Sequence, residues 1–517
     1  MADKGSTWFS GAGSIAGTRP GIGTPSVPPS SPQPHPTQPH ATQPAAEPKG
    51  WGVRTILAAA AVAAGSALLL TFTPTDWTWE LLRILGVLLV LLGSFYFPQS
   101  APKPAFVIWW IMLIGECIFF REGDANSNAN AYAGNFPTAA YGEAIAWIMC
   151  LLATLLCSAR VRGFFRQLFQ GDYKWNTLFA LACIASCAYT PRFSLGAVWG
   201  VKICLVVLLL WACSSRMRNL EDTISFLRFN VWAYVIIVLQ PVIIAAMRGD
   251  MFDEEGRMST IVSPNALSPN AAILLLMVLA IFSRRKGEGM YKWAVLWGMV
   301  GVAVMILAGS KTGVLGCVFA GTLFFIVRGR LGTAFTYIAT TAALVIALVL
   351  TTPLADYLHL YEDRAGAESF SGRTILWKAV IPEIEHRPIV GHGYMASEFV
   401  MFQVNAVGWA APHLHNGFLE SLYNTGAIGF IFLVMMLWVI PKNLIKVLRR
   451  VPKDEYLYRV AAGSLALYAF LVINGFFNSS FGGKCTAPFM SMMALVVVSQ
   501  KLLAFAPNPA PAWKRIG

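Results

Sequence analysis

Charge is what this sequence has least of. Only 13% of its 517 residues are Asp, Glu, Lys or Arg, against about 25% in an ordinary soluble domain. Hydrophobic residues make up 56%, and they collect in continuous runs of roughly 17 to 23 residues, each long enough to cross a bilayer. One large water-soluble core is therefore excluded. Alternating apolar and polar segments are missing too, which excludes a membrane β-barrel. Acidic residues are the scarcer sign, and the formal charge is +13. Most Lys and Arg sit in short connections between the runs, where they signal topology rather than a nucleic-acid partner. The nine cysteines lie almost all inside apolar runs, with no C-x-x-C pair and no His at liganding spacing. Neither a disulfide framework nor a zinc site is indicated.

What remains is an all-α, polytopic integral membrane helical bundle of about 12–14 spans. Residues 1–50 are rich in Pro, Gly, Ser, Thr and Gln and cannot bury enough apolar surface to offset their ordering entropy, so a disordered tail is expected. No apolar core begins near the N-terminus, so a cleavable signal peptide is not expected. Fourteen candidate spans follow: 54–73, 80–97, 105–120, 139–157, 175–190, 196–213, 229–247, 269–283, 291–308, 312–327, 331–350, 417–440, 457–478 and 485–505. The short pairs 175–213 and 291–327 admit a fused or re-entrant helix instead. With a cytoplasmic N-terminus, the inward connections hold roughly twice as many Lys and Arg as the outward ones, as the positive-inside rule requires. The expected organisation is a tail (1–50), helices (51–352), a long outward loop (353–416), helices (417–505) and a second cytoplasmic tail (506–517).

The chemistry-bearing residues crowd that outward side. Pro412-His413-Leu414-His415-Asn416-Gly417 closes the long loop and enters the next span. Neutral imidazole takes a proton near neutral pH, so His415 is a candidate general base, with Asn416 and His413 in support. On an extended entry the two histidines share a side; on a helix they point apart. A metal held by both has no third ligand clustered in sequence. Ser371 to Val380 reads as a helix start, with Ile375, Leu376, Ala379 and Val380 as an apolar face for the membrane surface. Arg373 falls in its first turn, where backbone N–H groups also favour an anion. Lys311, in Gly309-Ser310-Lys311-Thr312, holds a tight connection between spans. It is a candidate anion ligand or a snorkelling lysine. No Gly-x-x-x-x-Gly-Lys pattern precedes it, so nucleotide binding is a poor reading. Arg257 is a third cation, beside the acidic run Asp250, Asp253, Glu254 and Glu255, with which it can pair.

Taken in order, Arg257 to Asn270 with its Ser-Pro-Asn repeats, Gly309 to Thr312, Gly372-Arg373 with Trp377, Pro388 to Gly393, and His413 to Gly417 with Gly426 and Gly429 resemble the O-antigen ligase and polymerase superfamily. The His-x-His-Asn-Gly form is most similar to bacterial exopolysaccharide polymerases. Lys311 stands where many ligases carry Arg, which loses bidentate phosphate recognition. The resemblance implies a GT-C-like bundle in the bacterial inner membrane, with both termini cytoplasmic and a periplasmic site. It implies polymerisation of undecaprenyl-diphosphate-linked oligosaccharide by inverting transfer, with His415 as base and Arg373, Lys311 and Arg257 on the diphosphate. No cofactor or metal is called for. Membrane lipids are the surroundings, and chain-length regulator and export proteins are candidate partners. A ligase onto a lipid or protein acceptor would use the same site. A transporter or flippase would instead place charged sites near mid-membrane; Glu116 is one of the few ionisable residues deep in a span.

Overall fold

The structure is a computed structural model that describes residues 104–118, 164–248, 251–252, 258, 263–282, 291–351, 373–398 and 413–508. The expected spans 54–73, 80–97 and 139–157, the tail 1–50, Ser371 and Arg257 lie outside the described residues. In chain order the helices are α1 (Pro104–Ile118), α2 (Phe164–Leu168), α3 (Lys174–Ser186), α4 (Phe193–Arg216), α5 (Leu220–Arg248), α6 (Pro264–Phe282), α7 (Tyr291–Leu307), α8 (Lys311–Val327), α9 (Leu331–Thr351), α10 (Arg373–His386), α11 (Gly417–Arg450), α12 (Tyr456–Phe477) and α13 (Ala487–Phe505). The protein is an all-α, multi-pass membrane protein. Among the described residues, α4, α5, α6, α11, α12 and α13 are long and apolar enough to cross a membrane, while α7 and α8 contribute shorter apolar helices.

Boundaries moved where polar residues open a helix. α5 starts at Leu220 rather than near 229, because the Asn219 side chain accepts from the Asp222 N–H at 2.8 Å and Glu221 and Asp222 complement the helix dipole. α6 starts at Pro264 rather than 269, with the Ser263 carbonyl accepting from Ala266 and Leu267. The expected span 175–190 is only the 13-residue α3. At 1.5 Å per residue it reaches about 20 Å, less than the ~30 Å hydrocarbon layer.

Burial sorts the helices. α13 is buried nearly all round, from Met490 through Val498, as expected of a helix with no polar face at the centre of a bundle. It packs against α4, α5, α11 and α12. α6 sits among α5, α7, α8 and α12. α9 is peripheral, with Leu331, Phe335 and Ile346 exposed. The basic end of α11 is tied to the start of α3 by Lys442 and Asn443, which donate to Asp172 at 2.8 and 2.9 Å.

α11 is not one continuous helix. At Gly426 the backbone turns to φ 61, ψ −167, a region that only glycine occupies without strain. The break removes the helical bonds that Ala427 and Ile428 N–H would make to Tyr423 and Asn424 C=O. The segment Pro388–Gly393 takes them over. Pro388 and Ile389 carbonyls accept from Ala427 and Ile428 at 2.8 and 3.2 Å, while His392 and Gly393 donate to Tyr423 and Asn424 carbonyls at 2.8 and 2.9 Å. Contact is so close that a Cβ on Gly391 would collide with the backbone of residues 423–426.

Gly426→Ala should therefore destabilise the protein by about 1–3 kcal/mol, read as a lower unfolding midpoint in detergent. Gly332→Ala, on α9 with open space around the added methyl, should leave that midpoint unchanged.

Candidate functional site

The site forms where the chain enters α11. The Asn416 side chain accepts from the Phe418 and Leu419 N–H groups at 3.0 and 3.1 Å; this is an N-cap, worth about 0.5–2 kcal/mol. Just before it, His415 adopts φ 50, the left-handed region that costs a non-glycine residue about 1–2 kcal/mol. Leu414, between the histidines, is fully buried. Its N–H donates to Glu420 Oε1 at 3.1 Å, and its C=O accepts from Trp377 Nε1 at 3.0 Å. On either side of this fixed residue the His413 and His415 rings meet, centroids 4.3 Å apart and planes at 56°.

Both imidazoles are held neutral. Removal from water, and then the Arg373 charge, lower His415 to about 4. Burial, the neighbouring His415, Lys484 and Arg373 together push His413 well below the ordinary histidine range. A neutral imidazole pair beside guanidinium and ammonium groups can accept a hydroxyl proton while the cations attract an anion.

Arg373 reaches this corner because α10 is docked. Its face Leu376, Val380 and Ile384 packs with Ala396, Leu414 and Tyr423. That corrects the expectation of a helix laid on the membrane surface: the apolar face is covered by the protein's own chain, and Ile375 points away, exposed. His392 supports the dock, stacking on Tyr423 at 4.4 Å and donating from Nε2 to the Glu383 carbonyl at 2.8 Å.

The other predicted cations are placed differently. Lys311 is the exposed first residue of α8. α8 runs antiparallel to α12: Gly316 faces Phe470 and Ile473, while the Tyr458 hydroxyl donates to the Val327 carbonyl. α12 ends at Phe477, and the next carbonyl, Asn478, accepts from the Gly417 N–H at 3.1 Å. Lys311 thus stands at the same end of the bundle as His415. Arg257 is not among the described residues; its neighbour Met258 donates to the Leu307 carbonyl at 2.8 Å, beside the α7–α8 turn. Among the described residues no three His, Cys, Asp or Glu side chains converge as metal ligands.

Sequence reasoning assigned no role to Lys484 or Glu420. Lys484, in the α12–α13 connection, lies 3.6 Å from the buried Glu398. Glu420 is a fully buried carboxylate in the first turn of α11. An acid in the opening turn of an otherwise apolar span was the available signal.

Residues 296–434 match the O-antigen ligase family model. That stretch, about a quarter of the chain, is similar to the O-antigen ligase family. The matched stretch runs from α7 past the break in α11, so it contains Lys311, Arg373, the histidine pair, Asn416 and Glu420 and leaves Arg257 and Lys484 outside. The chain is also similar to the exopolysaccharide production protein ExoQ of Rhizobium meliloti (strain 1021), at 36% identity over 77 residues, 13% of this chain and 18% of that protein. The match thus spans under a fifth of that relative's length.

The histidine environment has a signed consequence for stability. An imidazole whose folded pKa lies below its unfolded value near 6.5 leaves the unfolded state holding more protons between those values, so stability falls as pH drops from about 6.5 to 4. His415→Gln should flatten this dependence, with His413 retaining part of it, in unfolding midpoints measured across that range.

Proposed function

We propose that this protein polymerises lipid-linked oligosaccharide repeat units. The donor would be a growing glycan on undecaprenyl diphosphate, the acceptor a sugar hydroxyl of an incoming repeat. The observation that carries the reading is the neutral His413–His415 pair, half-buried beside Arg373 at the entry to α11. His415 accepts the proton of the acceptor hydroxyl, whose oxygen attacks the anomeric carbon as the bond to the diphosphate breaks. One displacement inverts that carbon. Arg373 stabilises the charge developing on the departing diphosphate, with Lys311 and Arg257 as further candidate cations. Diphosphate is a good leaving group, so fixed cations meet much of the demand for charge stabilisation.

The low basicity of His415 fits an anionic substrate. Burial, and after it the Arg373 charge, oppose protonation of the imidazole; a bound diphosphate would offset the second of these and raise the basicity where the proton must be taken. The positive-inside rule supports a periplasmic reaction, since the basic ends of α8 and α11 (Arg328, Arg330, Arg449 and Arg450) lie at the opposite end of the bundle from the histidines. Chain-length regulators and export proteins are the expected partners.

A second reading is favoured by the family description itself. A ligase would keep the base and cations and exchange the acceptor for a lipid or a protein. A flippase for lipid-linked glycans has less support, because the histidine pair and the cations beside it gather at one end of the bundle instead of mid-membrane.

Purified protein given only lipid-linked repeat units separates these readings. Chain extension without a second acceptor is expected, and its absence until such an acceptor is added supports the ligase. His415→Ala should fold and insert but lose about 100-fold or more of the rate; normal polymer from that variant would overturn the proposal. The acid limb of kcat/KM should lie below pH 6.5 and move upward in Arg373→Gln, since removing a positive charge raises the imidazole pKa.

A further inference from the structure

A buried acid on α11, near the site, has no part in the chemistry above. Glu420 is about 1% exposed, on the first turn of α11, and its Oε1 accepts the Leu414 N–H at 3.1 Å. It faces Gly483 and Ser479 rather than any histidine ring. The carbonyl of the same leucine is taken by the Trp377 indole N–H, 3.0 Å away. Trp377 stands one turn beyond Arg373 on α10. Two side chains from two helices thus grip the single residue that separates the histidines, and one of those helices carries the guanidinium.

We infer that Glu420 and Trp377 are positioning residues that clamp the Leu414 peptide and so set both imidazoles against Arg373. A buried peptide deprived of one partner keeps an uncompensated desolvation penalty, and the left-handed turn at His415 is itself strained. Without the clamp, the turn relaxes toward extended backbone and the rings leave the corner. Neither residue needs to touch substrate. What each contributes is an acceptor or a donor at a fixed point: a carboxylate oxygen under the N–H, an indole N–H under the carbonyl.

This inference rests on the polymerase reading, and the test keeps the two apart. Turnover is measured on purified full-length protein with lipid-linked repeat units, alongside unfolding midpoints. Glu420→Gln retains an acceptor oxygen and should keep most of the activity. Glu420→Ala and Trp377→Phe should each lower kcat about 10- to 100-fold, the scale of a 1 Å misplacement, with KM little changed. Their acid limbs should shift upward as the imidazoles gain water. Because both bonds hold one peptide, the double variant should lose little more than either single one. Trp377→Phe keeps the apolar bulk, so it remains informative if Glu420→Ala fails to fold. Added to His415→Ala, neither change should matter further. Wild-type kcat in Glu420→Ala and Trp377→Phe, with His415→Ala inactive, would overturn the clamp alone. Glu420→Gln as impaired as Glu420→Ala would also overturn it, since charge and not an acceptor would then be what counts. Full turnover by His415→Ala would instead overturn the polymerase reading.

Discussion

Everything at this site hangs on a helix that is interrupted and then repaired. Gly426 breaks α11, and four main-chain groups lose their helical partners. Buried N–H and C=O groups left unpaired away from water are costly, a penalty that grows in a membrane protein. The Pro388–Gly393 segment restores all four bonds from outside the helix. Two broken intrahelical bonds become four bonds to another stretch of chain, so the break is also an anchor. Because the segment follows α10 directly, anchoring it holds α10 against the first turns of α11.

From that anchor the rest follows by packing and electrostatics. α10 buries Leu376, Val380 and Ile384 against Tyr423, Leu414 and Ala396, which brings Arg373 to the histidine corner. Asn424, beside the break, accepts the Ser397 N–H and donates to the Gly482 carbonyl, both at 2.8 Å. That single amide ties the dock to the α12–α13 connection, which delivers Lys484. Tyr394 extends the tie, its hydroxyl donating to the Gly483 carbonyl at 2.6 Å. Two cations and two neutral imidazoles are thus brought together by hydrogen bonds and apolar packing among α10, the segment after it, α11 and the α12–α13 connection. Preorganisation of this kind makes fixed charge effective where solvent is sparse.

Sequence reasoning reached the parts of this picture that are local. Apolar runs located α1, α4, α7, α8, α9, α12 and α13 to within three residues, and the His-x-His-Asn-Gly stretch marked the start of α11. Asn416 was read as support for catalysis, and its side chain does the mechanical work of an N-cap. What could not be read was non-local. Gly426 sits inside an apolar run, and nothing nearby announces that a segment more than thirty residues upstream replaces its hydrogen bonds. The face of α10 was visible as a periodic pattern, but periodicity does not say whether lipid or protein covers it. Glu420 was a lone acid within a span whose partner, a backbone N–H six residues earlier, is created only by the fold.

The segment 388–393 is locked into α11 by backbone hydrogen bonds. Native-state hydrogen exchange on the detergent-solubilised protein reads those bonds directly. The amides of His392, Gly393, Ala427 and Ile428 should exchange as slowly as the interior of α11, and lose protection together. Exchange at the rate of an exposed loop in residues 388–393, with 427 and 428 unprotected, would contradict it.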